Sequence, residues 1–192
     1  TQCSQAAEKY KPGRHFELLS EPVLTRDNSR VEVVEFFWFG CGHCFTLEAL
    51  LDDWKKELPR SVDFYRYPVI WNKTVETHAK IFFIAQALNK PEIVNGVFNA
   101  IHIQKRMLAS DREIIPFLKT YGVSEDQYNQ LTNSFGLKNN VKKADLFGEK
   151  YGIKGVPTFI VNGKYAVSGN REIGTKDLLN VVDYLIAKER KK

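Results

Sequence analysis

The spacing of apolar residues changes along the chain, and each spacing marks a different kind of secondary structure. Short runs rich in β-branched and aromatic residues are typical of strands. Such runs occupy residues 15–19, 31–39, 62–69 and 155–167. Apolar positions recur every three or four residues at 45–58, within about 73–152 and at 175–186, which predicts helices. Asn162-Gly163 is a hairpin signal that divides the last run into two strands. The predicted order is therefore β-β-α-β, a helical block, and β-β-α.

Two helix starts are predicted inside the helical block. Ser110 is followed three residues later by Glu113, and Ser124 is followed three residues later by Gln127. Both pairs match the capping box, in which the serine and the later side chain satisfy each other's backbone N–H groups. We therefore expect a capped helix after each serine.

The run at 31–39 leads directly into Cys41-Gly42-His43-Cys44, and an amphipathic helix follows at once. A thiol at the first turn of a helix lies beside backbone N–H groups without an intrahelical partner and at the positive end of the helix dipole. Both effects favour a thiolate, so we expect the pKa of Cys41 to fall well below the ordinary value of about 8.5. His43 would add a hydrogen bond or a charge if it points at this sulfur. Cys44, one turn further on, is expected to be more buried and less reactive. Stabilising the reduced form makes the disulfide of this pair a stronger oxidant.

A Cys-x-x-Cys pair can also supply half of a zinc site or form a purely structural disulfide. A zinc site needs two further ligands. The remaining candidates are Cys3, His15, His78 and His102. None of them has the spacing typical of zinc ligands, so no metal site is predicted. Cys3 is interpreted as a terminal thiol, and His78 and His102 as packing or surface residues of helices. The strand–Cys-x-x-Cys–helix context favours redox chemistry over both alternatives.

Composition predicts a protein with a core of its own. The 192 residues are 43% hydrophobic and 12% aromatic, and three cysteines are too few for a disulfide scaffold. The length predicts one domain, or one domain with an inserted subdomain. The net charge of +5 is spread along the chain without a basic-aromatic repeat, so no nucleic-acid binding is predicted. The sequence has no run of 18 or more apolar residues, and its start at Thr1 is expected of a processed or trimmed chain.

Three charged residues lie in apolar surroundings near the two cysteines in sequence. Glu35 falls inside the first long strand run, where burial of a carboxylate is costly unless it is paired or protonated. Proton transfer to or from Cys44 is the corresponding hypothesis, and a strand-edge glutamate that reaches solvent is the alternative. Glu48 follows Cys44 by one helical turn, and a solvent-facing position is an equal alternative. Arg66, in the next strand, could be the counter-charge of either glutamate.

Two motifs in this order resemble the DsbA family of periplasmic thiol oxidases. The first is Phe-Trp-Phe-Gly-Cys-Gly-His-Cys before a helix, and the second is Gly-Val-Pro-Thr-Phe before a hairpin, with helices between them. The resemblance covers about residues 13–187. It implies an α/β thioredoxin fold with an inserted helical domain. The thioredoxin-like part would comprise 13–72 and 153–192, the insert 73–152, and an N-terminal extension 1–12.

The resemblance assigns roles to four residues. The residue matching Cys41 attacks, and the one matching Cys44 resolves, so the two would form the redox-active disulfide. The proline matching Pro157 is cis in this family and faces the cysteines, and a tight turn there would expose backbone groups. The backbone of Val156 would then pair with a bound substrate chain.

The resemblance also concerns the charged residues and the dipeptide between the cysteines. Glu35, Glu48 and Arg66 match, or nearly match, charged positions of the family near the site, which implies proton transfer or charge tuning. The family dipeptide is often Pro-His, whereas Gly42-His43 stands here and also resembles the eukaryotic disulfide isomerases. Because this dipeptide tunes the redox potential, it bears directly on the strength of the oxidant.

The function that this resemblance implies is oxidation of reduced, unfolded exported proteins in the periplasm, without a cofactor. A DsbB-like membrane quinone reductase would reoxidise the protein, and a monomer is expected. Two alternatives are kept. One is a disulfide reductase or isomerase of the same fold, although bacterial isomerases carry an N-terminal dimerisation domain and only about a dozen residues precede the first strand run here. The other is a peptide-binding chaperone module that uses Val156 and Pro157 without turnover.

Overall fold

A computed structural model describes residues 9–190 of the chain. Within this part, five strands form one sheet in the order β1-β5-β4-β2-β3. The strands are β1 (Glu17–Leu18), β2 (Val31–Phe37), β3 (Val62–Pro68), β4 (Thr158–Val161) and β5 (Tyr165–Ser168). The short first strand lies at one edge of the sheet.

Seven α-helices accompany the strands in the described part of the chain. They are α1 (Gly42–Glu57), α2 (Lys73–Ala87), α3 (Glu92–His102), α4 (Asp111–Lys119), α5 (Glu125–Asn133), α6 (Phe135–Lys150) and α7 (Leu178–Arg190). The predicted element order is confirmed. None of the helices in this part is long and apolar enough to cross a membrane.

The hairpin predicted at Asn162-Gly163 joins β4 to β5. These strands are antiparallel, with Val161 opposite Tyr165. The two turn residues have φ values of 51° and 62°, the left-handed conformation that a tight hairpin turn requires. Glycine is needed at the second position for another reason as well, because a Cβ on Gly163 would lie 2.0 Å from the carbonyl oxygen of Val23.

The strand that leads to the cysteines is fully enclosed. All seven residues of β2 are buried, which explains why five of them are valine or phenylalanine; the other two are the buried glutamates Glu32 and Glu35. The N–H of Val31 bonds to the carbonyl of Ser61, and the N–H of Val69 bonds to the carbonyl of Phe37, so β2 and β3 run in the same direction. The end of β2 is therefore held by its neighbour up to the residue before the loop that carries Cys41.

The chain divides into two compact units. One comprises residues up to 35, 50–65 and those from 157 onward, and the other comprises 36–49 and 66–156. The second unit contains both cysteines of the Cys-x-x-Cys pair together with helices α2 to α6. The domain limits inferred from the sequence, with an insert at 73–152, stay a prediction.

Within this second unit, aromatic rings fix the segment that leaves β2. Phe37 and Phe39 have ring centroids 5.3 Å apart and lie nearly perpendicular. Phe82 of α2 lies 5.1 Å from Phe37, and Phe98 of α3 lies 4.9 Å from Phe39. Edge-to-face pairs of this kind contribute about 0.5–1.5 kcal/mol each beyond the area they bury. The helical block thus anchors the backbone two residues before Cys41.

One of the two predicted capping boxes is absent. Ser124 and Gln127 form the complete reciprocal box at the start of α5. The prediction at Ser110 is wrong, because its hydroxyl accepts no N–H bond at the start of α4. The N–H of Glu113 instead donates to the Ser110 carbonyl, and the Ser110 hydroxyl donates to the Glu113 carboxylate.

Candidate active site

The two cysteines occupy the predicted position between strand and helix. The N–H of Cys41 donates to the carbonyl of Trp38 at 3.0 Å, which closes a turn after β2. The N–H of Phe45 donates to the carbonyl of Cys41 at 3.0 Å, which begins the helical hydrogen bonding of α1. Cys41 is partly exposed and Cys44 is fully buried, and both are present as thiols. The difference in access that the sequence predicted is therefore confirmed.

The surroundings of Cys41 favour its thiolate. The backbone N–H of Cys44 points at the Cys41 sulfur, with N and Sγ 3.4 Å apart. These surroundings lower the pKa of Cys41 from 9.0 to about 6. The largest cause is a hydrogen bond from the Cys44 thiol, which burial partly opposes; the N–H groups of Cys44 and His43 and the charge of His43 lower the pKa further. The predicted depression of this pKa is confirmed in direction.

This pKa gives a direct prediction for the reduced protein. The absorbance of the thiolate near 240 nm should rise with a midpoint at about pH 6 and should be missing in Cys41→Ser. Because the pKa is lower in the folded chain, its contribution to stability is complete above pH 9 and is lost as the pH falls through 6. The free energy of unfolding of the reduced wild type should therefore decline relative to that of Cys41→Ser as the pH is lowered from 9 to 6. A midpoint near 9 would contradict this electrostatic account.

A backbone carbonyl approaches the same sulfur from the other end of the chain. The Cys41 thiol donates to the carbonyl oxygen of Val156, with a separation of 3.4 Å. Val156 is partly exposed and immediately precedes Pro157, which is buried, and strand β4. The backbone of Val156 therefore lies beside the Cys41 sulfur, and its pairing with a substrate chain stays a prediction. The cis state of Pro157 stays a prediction.

Glu48 and Arg66 form a buried ion pair one helical turn after Cys44. The two guanidinium nitrogens lie 3.1 and 2.8 Å from the two carboxylate oxygens, so the pair is bidentate. Both side chains are less than a tenth exposed. The guanidinium also lies over the ring of Phe37, 4.2 Å from its centroid. Of the two partners predicted for Arg66, the structure shows Glu48, and the alternative of a solvent-facing Glu48 is wrong.

The other three residues singled out from the sequence are Glu35, Gly42 and His43, and they differ in their exposure to solvent. Glu35 is completely buried within β2, so the alternative of a strand-edge glutamate in solvent is wrong. Gly42 is the first residue of α1 and is exposed, and His43 is exposed beside it. His43 contributes to the lowered pKa of Cys41 through its backbone N–H and its charge.

The structure adds a hydrogen-bonded ring system that the sequence did not predict. The indole N–H of Trp38 donates to Nδ1 of His78 at 3.0 Å. Because Nδ1 accepts, Nε2 of the neutral ring carries the proton and donates to the carbonyl of Met107 at 2.9 Å. Burial lowers the pKa of His78, which keeps the ring neutral. The Trp38 ring lies against Gly40, where an added Cβ would be 2.2 Å away, so this approach needs glycine.

His102 was also predicted only as a packing or surface residue. Its Nε2 lies 2.7 Å from the carbonyl oxygen of Phe39, and its ring stacks on Phe45 at 4.7 Å. No motif marks such a residue, since it lies 63 positions from Phe39.

Residues 9–190 contain no candidate metal site, because no group of three or more histidine, cysteine or acidic residues among them could hold an ion. Cys3, the third cysteine, lies outside the described residues. A Cys-x-x-Cys pair at the start of a helix, with a lowered pKa at its first thiol, is the site of a thiol:disulfide oxidoreductase.

Comparison with known proteins places this site in a family. The model of the DSBA-like thioredoxin domain matches residues 51–177. The thiol:disulfide interchange protein DsbA of Pseudomonas aeruginosa is 35% identical over 185 residues, which are 96% of this chain and 88% of the relative. The DsbA of Azotobacter vinelandii is 34% identical and covers 94% of this chain and 85% of the relative.

The fold agrees with these similarities. The crystal structure of Pseudomonas aeruginosa DsbA superimposes with a TM-score of 0.90 and 35% identity, over 96% of this chain and 97% of that one. The chain therefore belongs to the DsbA family, with a thioredoxin-like α/β fold and a helical insertion, and it is a protein-disulfide oxidoreductase. The match to the family model begins at residue 51, after both cysteines, so Cys41 and Cys44 are identified as the reactive pair by their geometry.

Proposed function

We propose that the chain oxidises pairs of thiols in substrate proteins through a Cys41–Cys44 disulfide. The observation that carries this direction is the lowered pKa of Cys41, because a stabilised thiolate favours the reduced enzyme and hence electron transfer from the substrate. A substrate thiolate attacks the Cys41 sulfur, the Cys41–Cys44 bond breaks, and a mixed disulfide forms. Cys44 leaves with the electron pair and takes up a proton.

The second step completes the oxidation. Another substrate thiolate attacks the substrate sulfur of the mixed disulfide, and Cys41 departs as a thiolate. The substrate has lost two electrons and gained a disulfide, and the enzyme has gained the two electrons as a dithiol. A thiol with a low pKa leaves faster, so the environment of Cys41 assists this step as well.

We infer that Val156 and Pro157 hold the substrate chain during both steps. The carbonyl of Val156 is 3.4 Å from the Cys41 sulfur, and the residue is partly exposed. A backbone acceptor next to the reacting sulfur can pair with the N–H groups of an extended substrate irrespective of its side chains. This would suit an enzyme that acts on many different unfolded proteins.

The charged residues are proposed to tune the site. Arg66 neutralises Glu48, so a carboxylate one turn from Cys44 does not oppose a nearby thiolate. Glu35 is assigned to proton transfer to or from Cys44, and its complete burial supports this assignment. Gly42 and His43 set the redox potential through the backbone and charge beside Cys41.

We propose exported proteins with reduced cysteines as substrates, the periplasm as the location and a DsbB-like membrane quinone reductase as the reoxidant. These assignments rest on the membership of the DsbA family and on the oxidising chemistry above. A monomer is proposed for the working form.

A mixed-disulfide trap tests this function. Cys44→Ala should form a covalent adduct with an unfolded peptide that carries one cysteine as a disulfide with thionitrobenzoate, because the resolving thiol is missing. The adduct should be absent with the same peptide carrying serine and with the double variant Cys41→Ser, Cys44→Ala. A peptide-binding module would instead bind both peptides equally well and form no adduct. Mass spectrometry under non-reducing conditions separates these results.

A further inference from the structure

His102, the last residue of α3, contacts the backbone shortly before Cys41. Its Nε2 lies 2.7 Å from the carbonyl oxygen of Phe39. A carbonyl can only accept, so the imidazole donates this bond and its Nε2 carries a proton. Phe39 is 1% exposed, which leaves its carbonyl little access to water if the donor is removed.

The same imidazole contacts the chain shortly after Cys41. It stacks on the ring of Phe45 with centroids 4.7 Å apart and an interplanar angle of 6°. Phe45 in turn donates its N–H to the carbonyl of Cys41 at 3.0 Å. One side chain thus touches the residue two positions before the reactive cysteine and the residue four positions after it.

This double contact matters because the hydrogen bond to the Cys41 sulfur is geometrically sensitive. The N–H of Cys44 reaches the sulfur at 3.4 Å, and that distance depends on how the first turn of α1 sits relative to the preceding loop. His102 contacts the loop through its hydrogen bond to Phe39, and it contacts the first turn through its stacking on Phe45. Loss of either contact would let the two segments move apart and weaken the stabilisation of the thiolate.

We propose that His102 is a positioning residue that sets the reactivity of Cys41 by holding Phe39 and Phe45 in a fixed relation. The helical block, through α3, then contributes to the redox chemistry. This inference rests on the proposed role of Cys41 as the attacking thiol.

Two variants separate the two contacts. His102→Phe keeps an aromatic ring for Phe45 but removes the donor to Phe39, and His102→Gln keeps an N–H donor but removes the ring. We expect His102→Phe to raise the midpoint of the Cys41 thiolate absorbance and to shift the equilibrium with glutathione at least about threefold toward the oxidised enzyme. His102→Gln should give a smaller shift in the same direction. Both quantities are measured on the full chain beside its thermal midpoint.

His15→Phe is the matched control, since His15 lies beside β1 and its Nδ1 accepts from the N–H of Lys11. It should leave the thiolate midpoint and the glutathione equilibrium unchanged. If the His102 variants lower the thermal midpoint but leave both redox quantities at the wild-type values, His102 is only structural and the proposal fails. If His102→Phe does not fold, His102→Gln decides by the same criteria. Failure of Cys44→Ala to form a mixed disulfide with the cysteine peptide would overturn the proposed function itself, and the trap experiment above detects that separately.

Discussion

Replacement of Cys41 with serine is expected to abolish oxidation of a reduced test protein. The reaction needs a sulfur that is both accessible and a good leaving group, and the only described thiol with these properties is Cys41, because Cys44 is completely buried. A serine oxygen can form no disulfide, so no residual pathway through this position exists. The loss should therefore reach the uncatalysed rate, measured as the return of enzymatic activity in reduced, denatured ribonuclease with a stoichiometric amount of oxidised protein.

The matched control for this prediction is Cys3→Ser, which removes the chain's third cysteine and leaves the Cys-x-x-Cys pair intact. It should oxidise the test protein at the wild-type rate. Oxidation retained by Cys41→Ser, or lost in Cys3→Ser, would mean that electrons leave the substrate through another thiol.

The second large effect is expected at the ion pair. Arg66→Met should lower the free energy of unfolding by about 3–5 kcal/mol at pH 7, because it leaves the Glu48 carboxylate buried without its counter-charge. The methionine retains contact with Phe37 but supplies no donor. Equilibrium unfolding in urea, on the reduced protein, measures the change.

Two further variants make this prediction specific. Glu48→Gln combined with Arg66→Met should recover part of the stability, since no buried charge then lacks a partner. Lys56→Met is the control, because Lys56 also pairs with a carboxylate, Asp53, but on the exposed face of α1. It should have no measurable effect on the free energy of unfolding. An Arg66→Met variant as stable as the Lys56→Met variant would show that the buried pair contributes nothing.

The elements near the cysteines could be predicted because their signals are local. A run of mostly β-branched and aromatic residues predicts β2, and the spacing of apolar residues within a few turns predicts the helix that starts at Gly42. The direction of the Cys41 pKa could be predicted from the same few residues, because its main cause is a hydrogen bond from the thiol of Cys44, three positions away, and the N–H of Cys44 adds to it.

The contacts that the sequence missed join distant residues. His78 lies 40 positions from Trp38, and its ring bonds depend on how α2 packs, which no periodicity specifies. The pairing of Arg66 with Glu48 could not be decided from the sequence either, because two glutamates were within plausible reach of Arg66. At Ser110 the capping signal failed because the backbone of the turn already satisfied the N–H of Glu113.

If this chain works as an oxidant, its equilibrium with glutathione must lie further toward the reduced form than that of a reductase of the same fold. The lowered pKa of Cys41 stabilises the reduced form by about tenfold at pH 7, because a thiol with a pKa of about 6 is mostly ionised at that pH and one with the ordinary pKa of 9.0 is not. Solvent screening of this partly exposed sulfur makes the value an upper limit. A tenfold change corresponds to about 30 mV for this two-electron couple. Reference potentials are about −270 mV for thioredoxin and about −120 mV for DsbA.

The measurement equilibrates the Cys41–Cys44 pair in glutathione buffers of known ratio and quantifies the reduced fraction by thiol alkylation and mass spectrometry. We expect a potential above about −200 mV, at which the disulfide accepts electrons from substrate thiols; this expectation rests on the membership of the DsbA family together with the stabilised thiolate. A value near −270 mV would contradict it, because the same fold would then donate electrons and act as a reductase.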